Sequence, residues 1–258
     1  MTRHSQLETF GDAKISRNDP YAGNYYSTYF DGSSRLTAAH NAALDLGSGD
    51  FTIEFWLNAP ATGSTAGIVG KKGGDNSNGW QIYRDGNDLT KLNARLTQQN
   101  NFFTTNVITP GIWEHWALVR SGTAIYWYKN GILDNTGSSS ANLADTAASL
   151  NIGYADTWSA YGTQTMSNLR ILKGTALYTP ALYPSGFTPS TTPLTAIANT
   201  VLLTCQNRTF IDNSTTALTF TTAGTPKPTT SNPLRVINGR SIALDGTGDW
   251  MVLPASQA

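Results

Sequence analysis

The chain has 258 residues, 17 of them basic and 17 acidic, so its formal net charge is +0, and charged side chains make up only 13% of it. That is about half the usual share for a soluble domain. It leaves no basic excess to neutralise phosphates, which speaks against a nucleic-acid partner. With 39% hydrophobic and 10% aromatic residues, the chain is too apolar to stay disordered. Thr, Ser, Asn and Gly fill the space left by charges, giving a surface of uncharged hydrogen-bonding groups suited either to sugar contact or to packing against protein.

Residues 1–25 read as an irregular arm. They contain no apolar h-region, so no secretory signal is expected. No apolar stretch approaches the roughly 18 residues of a membrane span, so no membrane partner is expected. From residue 26 onward, period-two alternation recurs while helical periodicity is nearly absent. In the run from Asp50 to Asn58, Phe51, Ile53, Phe55 and Leu57 share one face, and Thr52, Glu54 and Trp56 share the other. Further strands are expected over 67–71, 80–84, 92–97, 102–108, 113–120, 124–129, 150–154, 167–172 and 201–205. The only helical hint is at 174–178. Short strands between Gly, Asn and Asp clusters indicate an all-β, antiparallel two-sheet sandwich. The sharpest local signal is Lys129-Asn130-Gly131, because Asn-Gly tolerates the positive φ that a tight hairpin needs. The single Cys205 permits no intrachain disulfide and reads as a small buried hydrophobe.

The proline-rich stretch 178–193 reads as an ordered, irregular connection, and 206–239 as a polar Thr/Pro-rich linker or extension. Residues 240–258 repeat the opening motif of the body. Ser27-Thr28-Tyr29-Phe30-Asp31-Gly32 is echoed by Ser241-Ile242-Ala243-Leu244-Asp245-Gly246. The echo is either a chance β-turn-β match, a remnant of a lost tandem domain, or a strand that completes a sheet of this chain or a neighbour. On the last reading, Leu244, Asp245, Trp250 and Val252 are candidate assembly contacts.

Tyr29-Phe30-Asp31-Gly32 and the run from Leu44 to Trp56 resemble the opening of a laminin-G-like jelly roll of the concanavalin A-like superfamily. Trp113-Glu114-His115-Trp116-Ala117, Tyr126-Trp127-Tyr128-Lys129-Asn130-Gly131 and the run from Met166 to Tyr178 extend the resemblance, which covers 26–205. It implies a jelly-roll sandwich with an N-terminal arm and a C-terminal extension. The tail, from Pro193 to Thr200 and on through Ser214, is similar to jelly-roll proteins of aquatic bacteriophages. That similarity implies a virion location, as capsid decoration or a head or tail fibre. The implied partners are other virion proteins and further copies of the chain.

The fold also occurs in glycoside hydrolases, which generally need two carboxylates flanking one bond. The chain has three glutamates, Glu8, Glu54 and Glu114, and lacks the E-x-D-x-x-E strand motif. Glu54 and Glu114 sit in strands flanked by tryptophans and read as structural, as does His115. No paired-Cys or HExxH spacing suggests zinc. Calcium is the stronger metal candidate, through Asp75, Asn76 and Asn78 in one loop and Asp85 and Asp88 in another, although Asp and Asn at such places also simply make turns. Trp80, Tyr154, Trp158 and Tyr161 lie near expected loops and are candidate glycan contacts, whereas Trp56 and Trp116 look like core. The expected function is that of a non-enzymatic virion structural protein. The alternative is an adhesin for host surface glycans, and a glycan hydrolase comes third.

Overall fold

The computed structural model describes residues 26–60, 64–74, 78–86, 88–97, 100–145, 147–231 and 233, of which 88, 89 and 100 by backbone alone, together with the backbone of 8–10, 14–16, 241–243 and 250–252. In chain order the strands begin with β1 (Glu8–Phe10), β2 (Lys14–Ser16), β3 (Ser27–Asp31), β4 (Arg35–Ala38), β5 (Phe51–Asn58), β6 (Ala66–Lys71) and β7 (Trp80–Asp85). They continue with β8 (Asp88–Leu96), β9 (Asn100–Phe103), β10 (Glu114–Ser121), β11 (Ala124–Lys129), β12 (Ile132–Ser138), β13 (Leu150–Ile152) and β14 (Tyr154–Ala155). The remainder are β15 (Ala160–Tyr161), β16 (Thr163–Lys173), β17 (Thr200–Thr204), β18 (Phe220–Ala223), β19 (Lys227–Thr229), β20 (Ser241–Ala243) and β21 (Trp250–Val252). Among the described residues, helix is limited to the 3-10 turns Ala42–Leu44 and Asp156–Trp158. No helix there is long and apolar enough to cross a membrane.

The backbone divides into two units, one of Asn24–Leu234 and one formed by Met1–Gly23 with Arg235–Ala258. In the larger unit an eight-stranded antiparallel sheet runs β12-β11-β10-β5-β16-β3-β19, with β17 beside β3 along the same edge of β16. A seven-stranded antiparallel sheet runs β18-β4-β13-β6-β7-β8-β9. The fold is therefore the all-β, two-sheet sandwich expected from the alternation. Phe51, Ile53, Phe55 and Leu57 of β5 point inward as predicted, joined by Trp116 and Leu118 of β10. From the other sheet Trp80 and Ile82 of β7 and Leu92, Ala94 and Leu96 of β8 join the same core. Each such large apolar side chain contributes about 1.5–3 kcal/mol when buried. Cys205 is free and lies in this core, where burial pushes its thiol pKa up to about 12.

Asn130 and Gly131 adopt φ of 50° and 82°, the pair of positive values that a tight hairpin between β11 and β12 requires. The expected strand over 102–108 is cut short, because β9 ends at Phe103. Beyond it the Thr105 and Asn106 amides donate to the Asp134 carboxylate at 2.7 and 2.9 Å, so the chain leaves one sheet to bond with the edge strand of the other. Residues 175–179 are irregular rather than helical. Within the Thr/Pro-rich extension, β18 pairs with β4 and β19 with β3, so this segment adds an edge strand to each sheet.

The described backbone of the smaller unit forms two antiparallel pairs. β1 pairs with β21, setting Phe10 opposite Trp250 and Glu8 opposite Val252, and β2 pairs with β20. Segments from the two ends of the chain thus pair with each other. Leu244 and Asp245 lie outside the described residues, and Trp250 and Val252 are placed by backbone alone.

Candidate functional site

The sandwich has two outer faces, and alternation dictates which side chains reach them. On β5, the residues between the core positions are Thr52, Glu54 and Trp56. Glu54 is buried, because the connection from 174 to 199 crosses over this face. One of its carboxylate oxygens accepts Arg170 Nε and Nη2 at 2.8 and 2.6 Å. The other accepts His115 Nε2 at 3.2 Å and the Tyr178 hydroxyl at 3.0 Å. Burial pushes the Glu54 pKa up, but the bond and charge of His115 and the charge of Arg170 outweigh it and hold the carboxyl below its ordinary value. Tyr178 stacks on Phe187 with centroids 3.7 Å apart, and Phe187 meets His115 edge-on. Glu114 is also buried, paired with Lys129 at 2.8 Å and accepting the Thr109 amide. Both glutamates are therefore occupied in structural bonds.

The other face is differently furnished. On the seven-stranded sheet, the register lines up Thr221, Thr37, Asn151, Gly70, Gln81, Arg95 and Asn101 in a row across successive strands. Between β13 and β16 the chain makes an excursion, the β14–β15 hairpin, whose backbone lies directly on β6. An added Cβ at Gly67 would sit 2.0 Å from the Tyr154 carbonyl carbon, so this approach requires glycine. At the hairpin tip the turn Asp156–Trp158 is fixed by Gln81 Nε2, which donates to Thr157 Oγ1 at 2.9 Å, and by Asn151 Nδ2, which donates to both Asp156 oxygens.

Trp158 leaves that turn toward β7 and lies on Tyr83 with ring centroids 4.2 Å apart, with the Arg95 guanidinium 5.1 Å from its own centroid. Ser64, Thr65, Tyr83, Asp85, Gly86, Arg95, Asn101 and Trp158 line a cleft of about 450 Å³. Its polar groups are pre-arranged. Asn93 Nδ2 donates to the Tyr83 hydroxyl at 2.7 Å, and that hydroxyl reaches Asn101 Oδ1 at 3.4 Å. Burial, then the nearby Asp85 charge, pushes the Tyr83 pKa well up, so the phenol stays protonated. With one carboxylate and one guanidinium at its wall, the cleft has no charge excess. It offers an indole, an amide, hydroxyls and a charged pair, a set of groups that fits a polyhydroxylated ligand.

Trp158 is 39% exposed and forms part of this cleft, whereas Trp80 is 1% exposed and packs in the core, where its indole has no face to offer. Tyr154 and Tyr161 oppose each other across the hairpin, 4.6 Å between centroids, on the flank facing β4. Asp85 lines the cleft wall and Asn78 is exposed. Asp75 and Asn76 lie outside the described residues, and Asp88 is placed by backbone alone, opposite Asp85. Among the described residues, no three His, Cys, Asp or Glu side chains gather as a metal site. Tyr83, Arg95 and Asn101 were not singled out from the sequence. The signal for them was available, since they occupy the alternate positions to Trp80, Ile82, Ala94 and Phe102.

A search of curated protein sequences returned no match to this chain. Among solved structures, a protein from Bacteroides ovatus ATCC 8483 provisionally named as carbohydrate-binding superposes with a TM-score of 0.58 at 16% identity, over 80% of this chain and 60% of that one. The chain thus spans three-fifths of that protein's length. The native heptameric SAP-like pentraxin of Limulus polyphemus superposes with a TM-score of 0.51 at 15% identity, over 83% of this chain and 98% of that one. Both likenesses are of fold. A laminin-G-type family profile, described as the concanavalin A-like lectin/glucanases superfamily, matches residues 23–177, more than half of the sequence. With the sandwich and its register in agreement, the chain belongs to the concanavalin A-like lectin/glucanase superfamily.

Proposed function

We propose that the chain is a non-catalytic carbohydrate-binding domain that holds a sugar in the cleft beside Trp158. The observation that carries this reading is the placement of Trp158. A large indole is kept 39% exposed, seated on Tyr83 and surrounded by amide, hydroxyl and charged groups, in a cleft of about 450 Å³. Membership of a superfamily of lectins and glucanases supports it, and so does the engagement of Glu54 and Glu114 in structural bonds. A glycan array read with wild-type protein and Trp158→Ala tests it. Selective glycan binding by the wild type, weakened about tenfold in the variant, is the expected result, in line with the upper end of the roughly 0.5–1.5 kcal/mol that an aromatic contact contributes. Binding unaffected by the variant would remove the cleft from the reading. Repeating the array with a chelator tests whether calcium, held by the loops containing Asp75, Asn76, Asn78, Asp85 and Asp88, takes part.

The virion setting is a separate proposal, favoured by the phage-like motifs between Pro193 and Ser214, in which a particle carries this domain as a decoration or fibre component. Immunogold labelling of intact particles tests it.

A further inference from the structure

On the flank of the hairpin facing away from Trp158 lies a second arrangement that the cleft does not use. Arg35, at the start of β4, places its guanidinium carbon 4.3 Å from the centroid of Tyr154 and 5.9 Å from that of Tyr161. The two rings are themselves tilted together. A guanidinium held over a ring is attracted by the ring's face, and its N–H groups keep their capacity to bond an acceptor. Among the described residues, the Arg35 side chain makes no hydrogen bond and no ion pair, and its Nε is buried without an acceptor. The carboxylate nearest in influence, Asp156, feels the Arg35 charge but is bonded by Asn151 Nδ2 at both oxygens and lies beyond ion-pair distance of Arg35. Arg35 is half-buried, and three buried arginines differ from it in having partners for their terminal nitrogens. Arg84 donates through Nη1 and Nη2 to the Pro60 and Thr163 carbonyls, although its Nε too lacks an acceptor, Arg120 donates to three backbone carbonyls, and Arg170 to Glu54.

An arginine held against two rings, partly desolvated and with no side-chain acceptor has the makings of a carboxylate site, because the guanidinium fork matches a carboxylate in two parallel hydrogen bonds. Arg35 on β4 and Tyr83 on β7 are three strand spacings apart, about 14 Å, on one sheet face, with the hairpin as a ridge between them. The geometry points to a second ligand site at Arg35, Tyr154 and Tyr161 that binds the carboxylate of an acidic sugar, so that one glycan chain carrying uronic acid residues engages both flanks of the hairpin. The inference rests on the reading of the chain as a carbohydrate-binding domain, and it adds the ligand's chemical class.

Titration calorimetry of the full chain with an oligogalacturonate, with the same oligomer after reduction of its carboxylates to alcohols, and with dextran sulfate tests it. Wild type is expected to prefer the oligogalacturonate. Arg35→Ala is expected to weaken that binding on the order of tenfold to a hundredfold, while binding the reduced oligomer as wild type does. Arg35→Lys keeps the charge but not the planar fork. It is expected to lose most of the preference at an unchanged melting temperature, which separates a lost contact from a lost fold. Oligogalacturonate binding that survives in Trp158→Ala but fails in Arg35→Ala would support the Arg35 site and remove the cleft. Equal affinity of wild type and Arg35→Ala for the oligogalacturonate would overturn the proposal, as would Arg35-dependent binding of dextran sulfate at equal strength. If neither oligomer bound the wild type, the acidic-sugar proposal would fall, while the reading of the Trp158 cleft would stand or fall on the glycan array.

Discussion

The two outer faces of the sandwich solve the same problem in opposite ways. Each sheet turns polar side chains outward, and each is partly overlaid by a non-sheet segment. On the eight-stranded sheet, the overlying connection brings Tyr178 and Phe187, and the polar groups beneath bond to one another until the Glu54 carboxylate has four donors. On the seven-stranded sheet, the overlying hairpin brings Trp158, Tyr154 and Tyr161, and the polar groups beneath line a solvent-accessible cleft or, at the Arg35 side chain, have no acceptor. A closed network fixes the fold, whereas an open one keeps hydrogen-bonding capacity for something outside the chain. The difference lies in what covers each sheet, not in how polar each sheet is.

The comparison breaks most visibly at Glu54. Replacing it with Ala leaves Arg170 buried without its partner, and the expected loss is about 3–5 kcal/mol in urea unfolding. A loss under about 1 kcal/mol would mean that the Tyr178–Phe187 stack alone holds the connection down. The pH dependence carries the same sign. The Glu54 carboxyl is held below its ordinary value of 4.5, so its contribution is fully present above that pH and is lost as pH falls through the lower folded value. Wild type should therefore lose stability on acidification below pH 4.5, and Glu54→Gln should show a flatter acid limb.

On the open face, the hairpin rather than a carboxylate is the structural key. Gly67→Ala puts a methyl against the Tyr154 backbone, so the hairpin must lift, at a cost of about 1–3 kcal/mol. Because Trp158 rides on that hairpin, glycan affinity should fall with it. Trp158→Ala should sharpen the contrast. It forfeits an aromatic pair with Tyr83, about 0.5–1.5 kcal/mol of stability, yet removes the exposed platform. Calorimetric melting alongside glycan titration separates the two effects. A variant that loses stability but keeps affinity would place the ligand elsewhere.

Much of this was legible in the alternation of single strands. Phe51, Ile53, Phe55 and Leu57 pointed inward as read, and Asn130-Gly131 turned as read. The same alternation assigns Trp80 inward and Tyr83 outward. Proximity to an expected loop instead suggested Trp80 as a glycan contact, yet a residue at a strand start still obeys the pleat. What single strands could not reveal was the cover. Nothing local in 154–161 says that it folds back over β6, nor in 178–187 that it seals Glu54, because both depend on partners more than 50 residues away. The strand expected over 102–108 failed for a related reason, since its amides found Asp134 on another strand instead of a sheet neighbour.

The finest test makes one substitution on both faces. Tyr83 on the open face accepts Asn93 Nδ2 at 2.7 Å, so Tyr83→Phe abandons a buried donor and should cost about 1–3 kcal/mol. Tyr128 on the sealed face packs against Phe187, and its hydroxyl is buried without a partner. Tyr128→Phe therefore removes a group that gains nothing from burial, and stability should stay constant or rise by up to about 1 kcal/mol. Burial, assisted by Tyr126, pushes the Tyr128 pKa up to about 12 from 10.0, so the wild-type contribution is intact below pH 10 and lost as pH rises toward 12. The Phe variant has no such group to ionise and should unfold less readily over that interval. If both substitutions cost the same, the hydroxyl of Tyr128 has an acceptor after all, and the contrast between a sealed and an open face would rest on the cleft and Arg35 alone.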